Sequence, residues 1–305
     1  MDGTITTPAA GPGPLPAEAA LSRAPSMLRR VAGHPGLVAG LALLGLCMAM
    51  ALLAPLLAPH DPYLQDLNRR LIPPVWYEKG SWAHPFGTDN LGRDYLSRTL
   101  YGARISLLIG LSVMLISGVI GTVLGLVAGY FGGRTDLVVN FVITARLAMP
   151  VVLVALAVVA MTGGSLLVVI LTLGLLKWDR FAVVMRSATM QVRGLDYVAA
   201  AEAAGAGRLR VLAGEILPNV LPHLIVVATV ESGSAILLEA ALSFLGLGVQ
   251  PPLPSWGLMI AEAKNFMFFS FWLIATPGTA LAALVLGINL AGDGLRDVFA
   301  PEGRA

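Results

Sequence analysis

Three ionisable residues, Arg146, Glu231 and Glu239, lie inside otherwise apolar stretches of this sequence. A charged group at membrane depth costs about 2.5–3.5 kcal/mol even on a lenient insertion scale, so such groups face a protein interior or a water-filled path. Two roles are open for them. They line or gate a route for a polar solute, or they hold a helix bundle together through fixed ion pairs and hydrogen bonds. For Glu239, near the end of its stretch, we favour a structural or gating role over contact with a solute.

Catalytic and metal-binding patterns are missing from the sequence. A phosphate-binding loop needs Gly-Lys before Ser or Thr, and none of the three lysines follows a glycine. The motifs H-E-x-x-H and G-x-G-D are absent, which disfavours an intramembrane protease. The four histidines have no metal-ligand spacing, and a single cysteine permits no intramolecular disulfide. We therefore expect no catalytic residue, no metal and no cofactor, with any ATP hydrolysed on another chain.

The composition indicates an integral membrane protein. Hydrophobic residues make up 56% of the 305 residues and charged residues 12%, with a mean hydropathy of +0.79. An average soluble domain has about 25% charged residues. Four runs of 28 to 30 residues contain no Asp, Glu, Lys or Arg, and each is long enough for a spanning helix of about 20 residues. The net charge of +2 is too small an excess to indicate a nucleic-acid partner.

The apolar stretches predict an all-α bundle of six transmembrane helices. Their approximate bounds are 36–57, 105–129, 137–160, 165–176, 220–242 and 269–291. The first is longer than the apolar core of a signal peptide, about 7–15 residues, so we expect a retained anchor helix. The fourth is followed by a polar helical pattern to residue 191. Glycines four residues apart in the second helix permit close approach of a neighbouring helix.

Basic residues predict the orientation and the organisation of the chain. They concentrate before the first helix, between the fourth and fifth helices and at the end, which places these parts in the cytoplasm. The segment between the first two helices is also basic, but it is long enough to weaken the rule. We expect a cytoplasmic membrane protein with both termini cytoplasmic. We expect three parts: a tail over 1–35, a transmembrane domain over 36–291 and a tail over 292–305. The first tail is expected to be disordered over 1–22 and to form a short surface helix over 26–33. The transmembrane domain is expected to contain an external segment over 58–103 and a cytoplasmic segment over 192–218.

The cytoplasmic segment over 192–218, here named the alanine-rich segment, contains the stretch GLDYVAAAEAAGAGRLRVLAGEILP. Asp196 can cap a helix by accepting a backbone N–H. Gly205 suits a left-handed turn that ends that helix, and a short helix with Arg208 and Arg210 follows. A helix faced with alanines lets another protein pack close to its backbone, which predicts a docking element. An ordinary connection between two membrane helices is the alternative.

The alanine-rich segment resembles the coupling motif of ABC importer permeases, which reads E-A-A, three residues, G, nine residues, I-x-L-P. The matching positions are Ala200, Ala201, Gly205, Leu217 and Pro218. Ala199 stands where glutamate is usual and Glu215 where isoleucine is usual, and Glu202 lies three residues after the glutamate position.

Three further motifs resemble the dipeptide, oligopeptide and nickel permeases of this class. They are HPFGTDNLGRD over 84–94, EAALSFLGLG over 239–248 with Pro-Pro and Ser-Trp-Gly after it, and DGLRD over 293–297. The pattern is that of the second, or C-type, of the two paired permease subunits. The resemblance covers about residues 28–302.

The resemblance implies a heteromeric transporter. A homologous permease would enclose a pathway with this chain, and two ATP-binding subunits would dock on the cytoplasmic coupling helices. An extracytoplasmic substrate-binding protein would deliver cargo. The residues implied in coupling are Asp196, Ala200, Ala201, Glu202, Gly205, Arg208, Leu217 and Pro218.

The function that the resemblance implies is ATP-driven import of di- or oligopeptides by alternating access, with nickel chelates or haem as alternative cargoes. Arg146, Glu231 and Glu239 are the candidates for the pathway or its gate. A secondary transporter, in which Glu231 and Arg146 carry protons or ions along a gradient, is the alternative from another class. Such folds often contain internal repeats, and the sequence shows none.

Overall fold

The computed structural model describes residues 33–299. Within them the chain is all helical, with two isolated β-bridges and no strand. The helices in chain order are α1 Pro35–Leu57, α2 Tyr95–Phe131, α3 Gly133–Leu147, α4 Val151–Thr162, α5 Leu166–Leu176, α6 Asp179–Arg193, α7 Asp196–Ala203, α8 Arg208–Phe244 with a π-helical turn over Val211–Ile216, α9 Trp256–Ala263 and α10 Trp272–Phe299. The predicted disordered tail over 1–22 lies outside the described residues, as does the predicted surface helix over 26–33 except for Gly33.

The number of membrane spans differs from the predicted six. Four helices, α1, α2, α8 and α10, are long and apolar enough to cross a membrane. The predicted third helix is broken into α3 and α4, which meet at a bend of 78° and make a fifth span if counted together. The predicted fourth helix, α5, has 11 residues where a span needs about 20. It ends at Lys177, and the polar helix α6 follows after a break. The described residues therefore contain four or five candidate spans.

Two helices extend beyond their predicted ends. Helix α2 begins at Tyr95 because the Asp94 carboxylate caps it, accepting the Ser97 N–H at 2.8 Å. The end of the predicted external segment over 58–103 is therefore helical. Helix α10 continues past residue 291 to Phe299, so the 293–297 motif is helical and does not belong to a tail. Leu37 of α1 packs against the last turns of α10. The buried contact between the two helices therefore continues beyond residue 291, where the predicted apolar stretch ends.

Helices α2 and α6 pack closely through the glycines that the sequence analysis identified. A Cβ atom added at Gly125 would lie 2.7 Å from the Cβ of Met185, and one added at Gly129 would lie 2.7 Å from the Cβ of Thr189. Real Cβ atoms do not approach so closely, so any larger residue would push the helices apart. This packing fixes α6, and α6 leads directly into the alanine-rich segment.

An ion pair joins α3 to the same helix. Arg186 of α6 donates hydrogen bonds to both carboxylate oxygens of Asp136. The distance between Nη2 of Arg186 and Oδ2 of Asp136 is 2.7 Å. Both side chains are about one-quarter exposed. The hydrogen bond to Asp136 raises the pKa of Arg186 above its usual value. The ion pair holds α3 against α6.

Candidate functional site

The alanine-rich segment folds into α7, a tight turn and the first turns of α8. Leu195 is the N-cap of α7 and provides no side-chain hydrogen bond to it. The prediction that Asp196 caps this helix is therefore wrong. Asp196 is the first helical residue, where its negative charge is still favoured by the helix dipole.

Helix α7 ends in the left-handed turn predicted at Gly205. The φ angle of Gly205 is +85°. Its N–H donates to the Glu202 carbonyl at 2.9 Å, and the Ala206 N–H donates to the Ala201 carbonyl at 3.1 Å. These two bonds define a Schellman motif. No atom outside the neighbouring residues lies within 4 Å of a Cβ added at Gly205, so glycine is required there by backbone conformation and not by space.

Three contacts hold α7 and the turn to the end of α2. Val198 is the buried residue of α7, at 1% exposure, and it packs in one cluster with Tyr130. The Tyr130 hydroxyl donates to Oε1 of Glu202 at 2.8 Å. The Arg208 guanidinium carbon lies 5.8 Å from the ring centroid of Phe131, a cation–π distance. Glu202 and Arg208, which the sequence analysis assigned to coupling, are thus engaged within the chain.

The outward face of this segment is made of small side chains. Ala200, Ala203 and Ala204 are exposed and Ala201 is half-buried. Leu209, at the start of α8, is 82% exposed. The sequence analysis missed Leu209, because one leucine between two arginines forms no pattern. Leu195 and Tyr197, at the start of α7, are also exposed. Alanines beside exposed apolar side chains can accept another protein close to the backbone.

Helix α8 links this face to the membrane-spanning part of the chain. It is continuous from Arg208 to Phe244, and Leu217 and Pro218 lie inside it. The predicted fifth transmembrane helix, over 220–242, is therefore the central part of a longer helix. The π-helical turn over Val211–Ile216 precedes the proline, which has no N–H to donate, and the helix runs on.

Glu231, halfway along α8, is a buried ion-pair partner. Its Oε2 lies 2.7 Å from Nζ of Lys177, and its Oε1 lies 3.5 Å from Nε of Arg180. Lys177 also donates to the Ser234 hydroxyl at 2.8 Å. Glu231 is 3% exposed and Lys177 8%. Lys177 stands at the break between α5 and α6, so this pair fastens the break to the middle of α8.

A cleft of about 710 Å³ lies beside Glu231. Its walls come from α3, α6, α8 and α10 and are mostly apolar. The polar groups and helix-bending residues on these walls are Arg180, Pro222, His223, Glu231 and Arg296. In the described part of the chain, Glu231 is the one residue of the three intramembrane candidates that lines this cleft.

Arg146 and Glu239 are occupied by hydrogen bonds within the bundle. Arg146 donates hydrogen bonds to two backbone carbonyls, that of Met149 at 3.3 Å and that of Leu176. Met149 follows the end of α3 and Leu176 is the last residue of α5, where carbonyls have no N–H partner within the helix. Glu239, 1% exposed, accepts from the hydroxyls of Ser243 at 2.7 Å and Ser255 at 3.0 Å. Since Ser255 caps α9, Glu239 ties α8 to the start of α9.

A second buried network joins the 84–94 motif to α9. Asp89 Oδ2 lies 2.6 Å from Nε of Arg93 and 3.3 Å from Nη1 of Arg98. Glu262 Oε2 lies 2.7 Å from Nη2 of Arg98 and 3.2 Å from Nη2 of Arg93. The two arginine side chains are 2% and 0% exposed. The 84–94 motif, the first turn of α2 and helix α9 therefore meet through two arginines and two carboxylates.

Comparison with known proteins identifies the family. Residues 121–304 match the binding-protein-dependent transport system inner membrane component, and residues 24–74 match the N-terminal TM domain of oligopeptide transport permease C. The di/tripeptide transport system permease protein DppC of Pseudomonas aeruginosa is 43% identical over 89% of each chain. The dipeptide transport system permease protein DppC of Haemophilus influenzae is 42% identical over 88% of this chain and 90% of the relative. The probable D,D-dipeptide transport system permease protein DdpC of Escherichia coli is 39% identical over 88% of this chain and 89% of the relative.

A solved structure supports the fold. The MetNI methionine ABC transporter, in inward-facing conformations, matches with a TM-score of 0.56 at 19% identity, over 67% of this chain and 95% of that chain. This likeness confirms the all-helical permease architecture. The family match covers more than half of the chain, and the relatives match it nearly from end to end. The chain belongs to the family of binding-protein-dependent transport system inner membrane components.

Proposed function

We propose that the chain is the membrane-spanning permease subunit of an ATP-driven importer that takes up di- or oligopeptides by alternating access. The observation that carries this proposal is the nearly full-length match to permeases named for di- and tripeptides, dipeptides and D,D-dipeptides. These relatives favour peptides over nickel chelates and haem. They also favour an importer with ATP-binding partners over a secondary transporter driven by an ion gradient.

The alanine-rich segment is the proposed coupling element. Its exposed alanines and Leu209 would receive an ATP-binding subunit, and Gly205 would set the direction of the chain between α7 and α8. Helix α8 has 37 residues, about 55 Å at 1.5 Å per residue. A push on α7 would therefore be transmitted along α8, as a rigid-body motion, to the cleft beside Glu231.

The proposed partners are a homologous permease, two ATP-binding subunits and an extracytoplasmic substrate-binding protein. We place both termini and the alanine-rich segment in the cytoplasm, and residues 58–94 outside. His34 at the start of α1 lies 3.0 Å from Asp297 near the end of α10, which supports termini on one side of the membrane. The arginines of the alanine-rich segment agree with a cytoplasmic position.

Reconstitution tests the proposed function. We expect dipeptide uptake into vesicles, and dipeptide-stimulated ATP hydrolysis, when the chain is assembled with its partner permease, both ATP-binding subunits and the binding protein. Omitting the ATP-binding subunits should abolish both. Uptake by the purified chain alone under a proton or sodium gradient would contradict the proposal and favour a secondary transporter.

Replacing Glu231 with glutamine should lower peptide uptake about tenfold or more, measured per chain in the membrane. The change leaves the buried ammonium of Lys177 with neutral partners, and removing one member of a buried pair is strongly unfavourable. The double variant Lys177→Gln/Glu231→Gln should recover part of the activity, because it removes both charges. Glu78→Gln, the same change at an exposed position, is the control. Normal uptake by Glu231→Gln would show that the pair has no role in the pathway.

A further inference from the structure

Two histidines and an aspartate from separate points of the 58–94 region converge in the fold. His60 follows the end of α1, His84 opens the 84–94 motif, and Asp94 caps α2. One possible ligand atom from each of the three lies within 4.8 Å of the other two. Asp94 Oδ1 is 2.8 Å from His84 Nδ1 and 3.6 Å from His60 Nδ1. The sequence analysis expected no metal site, because these residues have no regular spacing along the chain.

Burial and missing partners distinguish this cluster from an ordinary surface ion pair. His84 is 6% exposed and Asp94 2%. Within residues 33–299, His60 Nδ1 and His84 Nε2 are buried nitrogens without a hydrogen-bond partner, an unfavourable condition for a polar atom. The 3.6 Å separation of His60 Nδ1 from Asp94 is too long for a hydrogen bond. An ion beside Asp94 Oδ1 would give His60 Nδ1 the partner that it lacks.

The distances fit a zinc ion. Ligand atoms about 2.0–2.2 Å from a tetrahedral zinc lie about 3.3–3.6 Å from one another. The separation of His60 Nδ1 from Asp94 Oδ1, 3.6 Å, lies at the top of that range. The separation of His84 Nδ1 from Asp94 Oδ1 is 2.8 Å, a hydrogen-bond distance, which small side-chain rotations would widen to admit the ion. Two imidazoles and one carboxylate are also a donor set that zinc prefers.

We propose that His60, His84 and Asp94 bind a divalent transition-metal ion, for which Zn²⁺ is the best match. The second carboxylate oxygen of Asp94 accepts the Ser97 N–H at 2.8 Å, which orients the ligand as outer-shell hydrogen bonds do. The His60 side chain is 37% exposed, so the ion can enter from that side and a water molecule can complete the tetrahedron.

The ion would connect three parts of the chain that are otherwise separated by loop. It would fasten the end of α1 and the 84–94 motif to the first turn of α2, and so stabilise the 58–94 region against local unfolding. This role is independent of the proposed cargo, because the site lies within one folded segment and makes no use of the cleft.

Zinc content of the intact transporter tests the proposal. The complex, purified with an affinity tag that contains no histidine, is stripped with EDTA, reloaded with ZnCl₂, desalted and measured by inductively coupled plasma mass spectrometry. We expect about one zinc ion per copy of this chain. His60→Ala and Asp94→Asn should each weaken zinc binding about tenfold or more. Asparagine is a good N-cap residue, so Asp94→Asn keeps the start of α2 while it removes the charged ligand.

A matched histidine variant and a second measurement complete the test. His223→Ala changes a histidine beside the cleft and should retain zinc. Zinc should also slow limited proteolysis of the 58–94 region in the unmodified chain and in His223→Ala, but not in His60→Ala, because a ligand that binds the folded state stabilises it. Two results would overturn the proposal: no zinc above background in the unmodified complex, or equal zinc binding in His60→Ala. Transport activity enters neither measurement, so failure of the proposed function would be distinguished from failure of the metal site.

Discussion

Replacing Gly205 with valine should lower peptide uptake and peptide-stimulated ATP hydrolysis at least about tenfold, while the chain still inserts into the membrane. Gly205 has a φ angle of +85°, a conformation that costs an L-residue about 1–2 kcal/mol and a β-branched residue more. A loss of about 1.4 kcal/mol already corresponds to a tenfold change in an equilibrium. The turn would open, and its two Schellman hydrogen bonds would break. Helix α7 would then lose its fixed angle to α8, through which the ATP-binding subunit is proposed to act.

Gly207→Val is the matched control for this experiment. Gly207 lies two residues further along the same exposed turn and also has no atom within 4 Å of an added Cβ. Its backbone angles, φ −66° and ψ 151°, lie in the extended region that valine adopts readily. The control should therefore retain uptake within about twofold. Equal activity of the two variants would remove Gly205 from the coupling mechanism, and equal loss would assign the effect to bulk on this surface and not to the turn.

The sequence predicted those features that depend on local conformation or on spacing along one helix. Gly205 was identified because a glycine after an alanine helix is typical of a left-handed helix end. Close approach of some helix to α2 was predicted from glycines four residues apart, such as Gly125 and Gly129, since residues at that spacing share one helix face. That the neighbour is α6 comes from the structure. Three of the charge-free runs predicted the spanning helices α1, α2 and α10, and the apolar stretch over 220–242 predicted α8.

Features that depend on contacts between distant parts of the chain were not predictable in this way. The early start of α2 depends on Asp94 and on burial of the first turn against α9, and the run over 95–103 looks polar without that context. The break at Lys177 is stabilised by Glu231, which is more than fifty residues away. Hydropathy also could not separate a bent pair such as α3 and α4 from one straight helix, because composition does not record a bend.

Replacing Arg98 with alanine should lower the free energy of unfolding by about 3–5 kcal/mol, the usual result of breaking a buried ion pair. The Arg98 side chain is fully buried, and it contacts both Asp89 and Glu262. Without it the two carboxylates share Arg93 alone, and the buried Asp89 has little water to compensate. In detergent, the midpoint of thermal unfolding should fall by about 5–8 °C for a chain of this size.

We expect a large loss of stability in Arg98→Ala because the Arg98 side chain is buried. Arg69, an exposed arginine of the same region, provides the control. Arg69 pairs with Asp66 at 3.3 Å, with both side chains about half exposed, and exposed pairs contribute at most about 1 kcal/mol. Arg69→Ala should therefore shift the midpoint by less than about 2 °C. Adding Glu262→Gln to Arg98→Ala should restore part of the lost stability, because it leaves a single carboxylate, that of Asp89, for the one remaining arginine, Arg93. Equal shifts for Arg98→Ala and Arg69→Ala would mean that the network linking the 84–94 motif to α9 contributes no more than a surface pair.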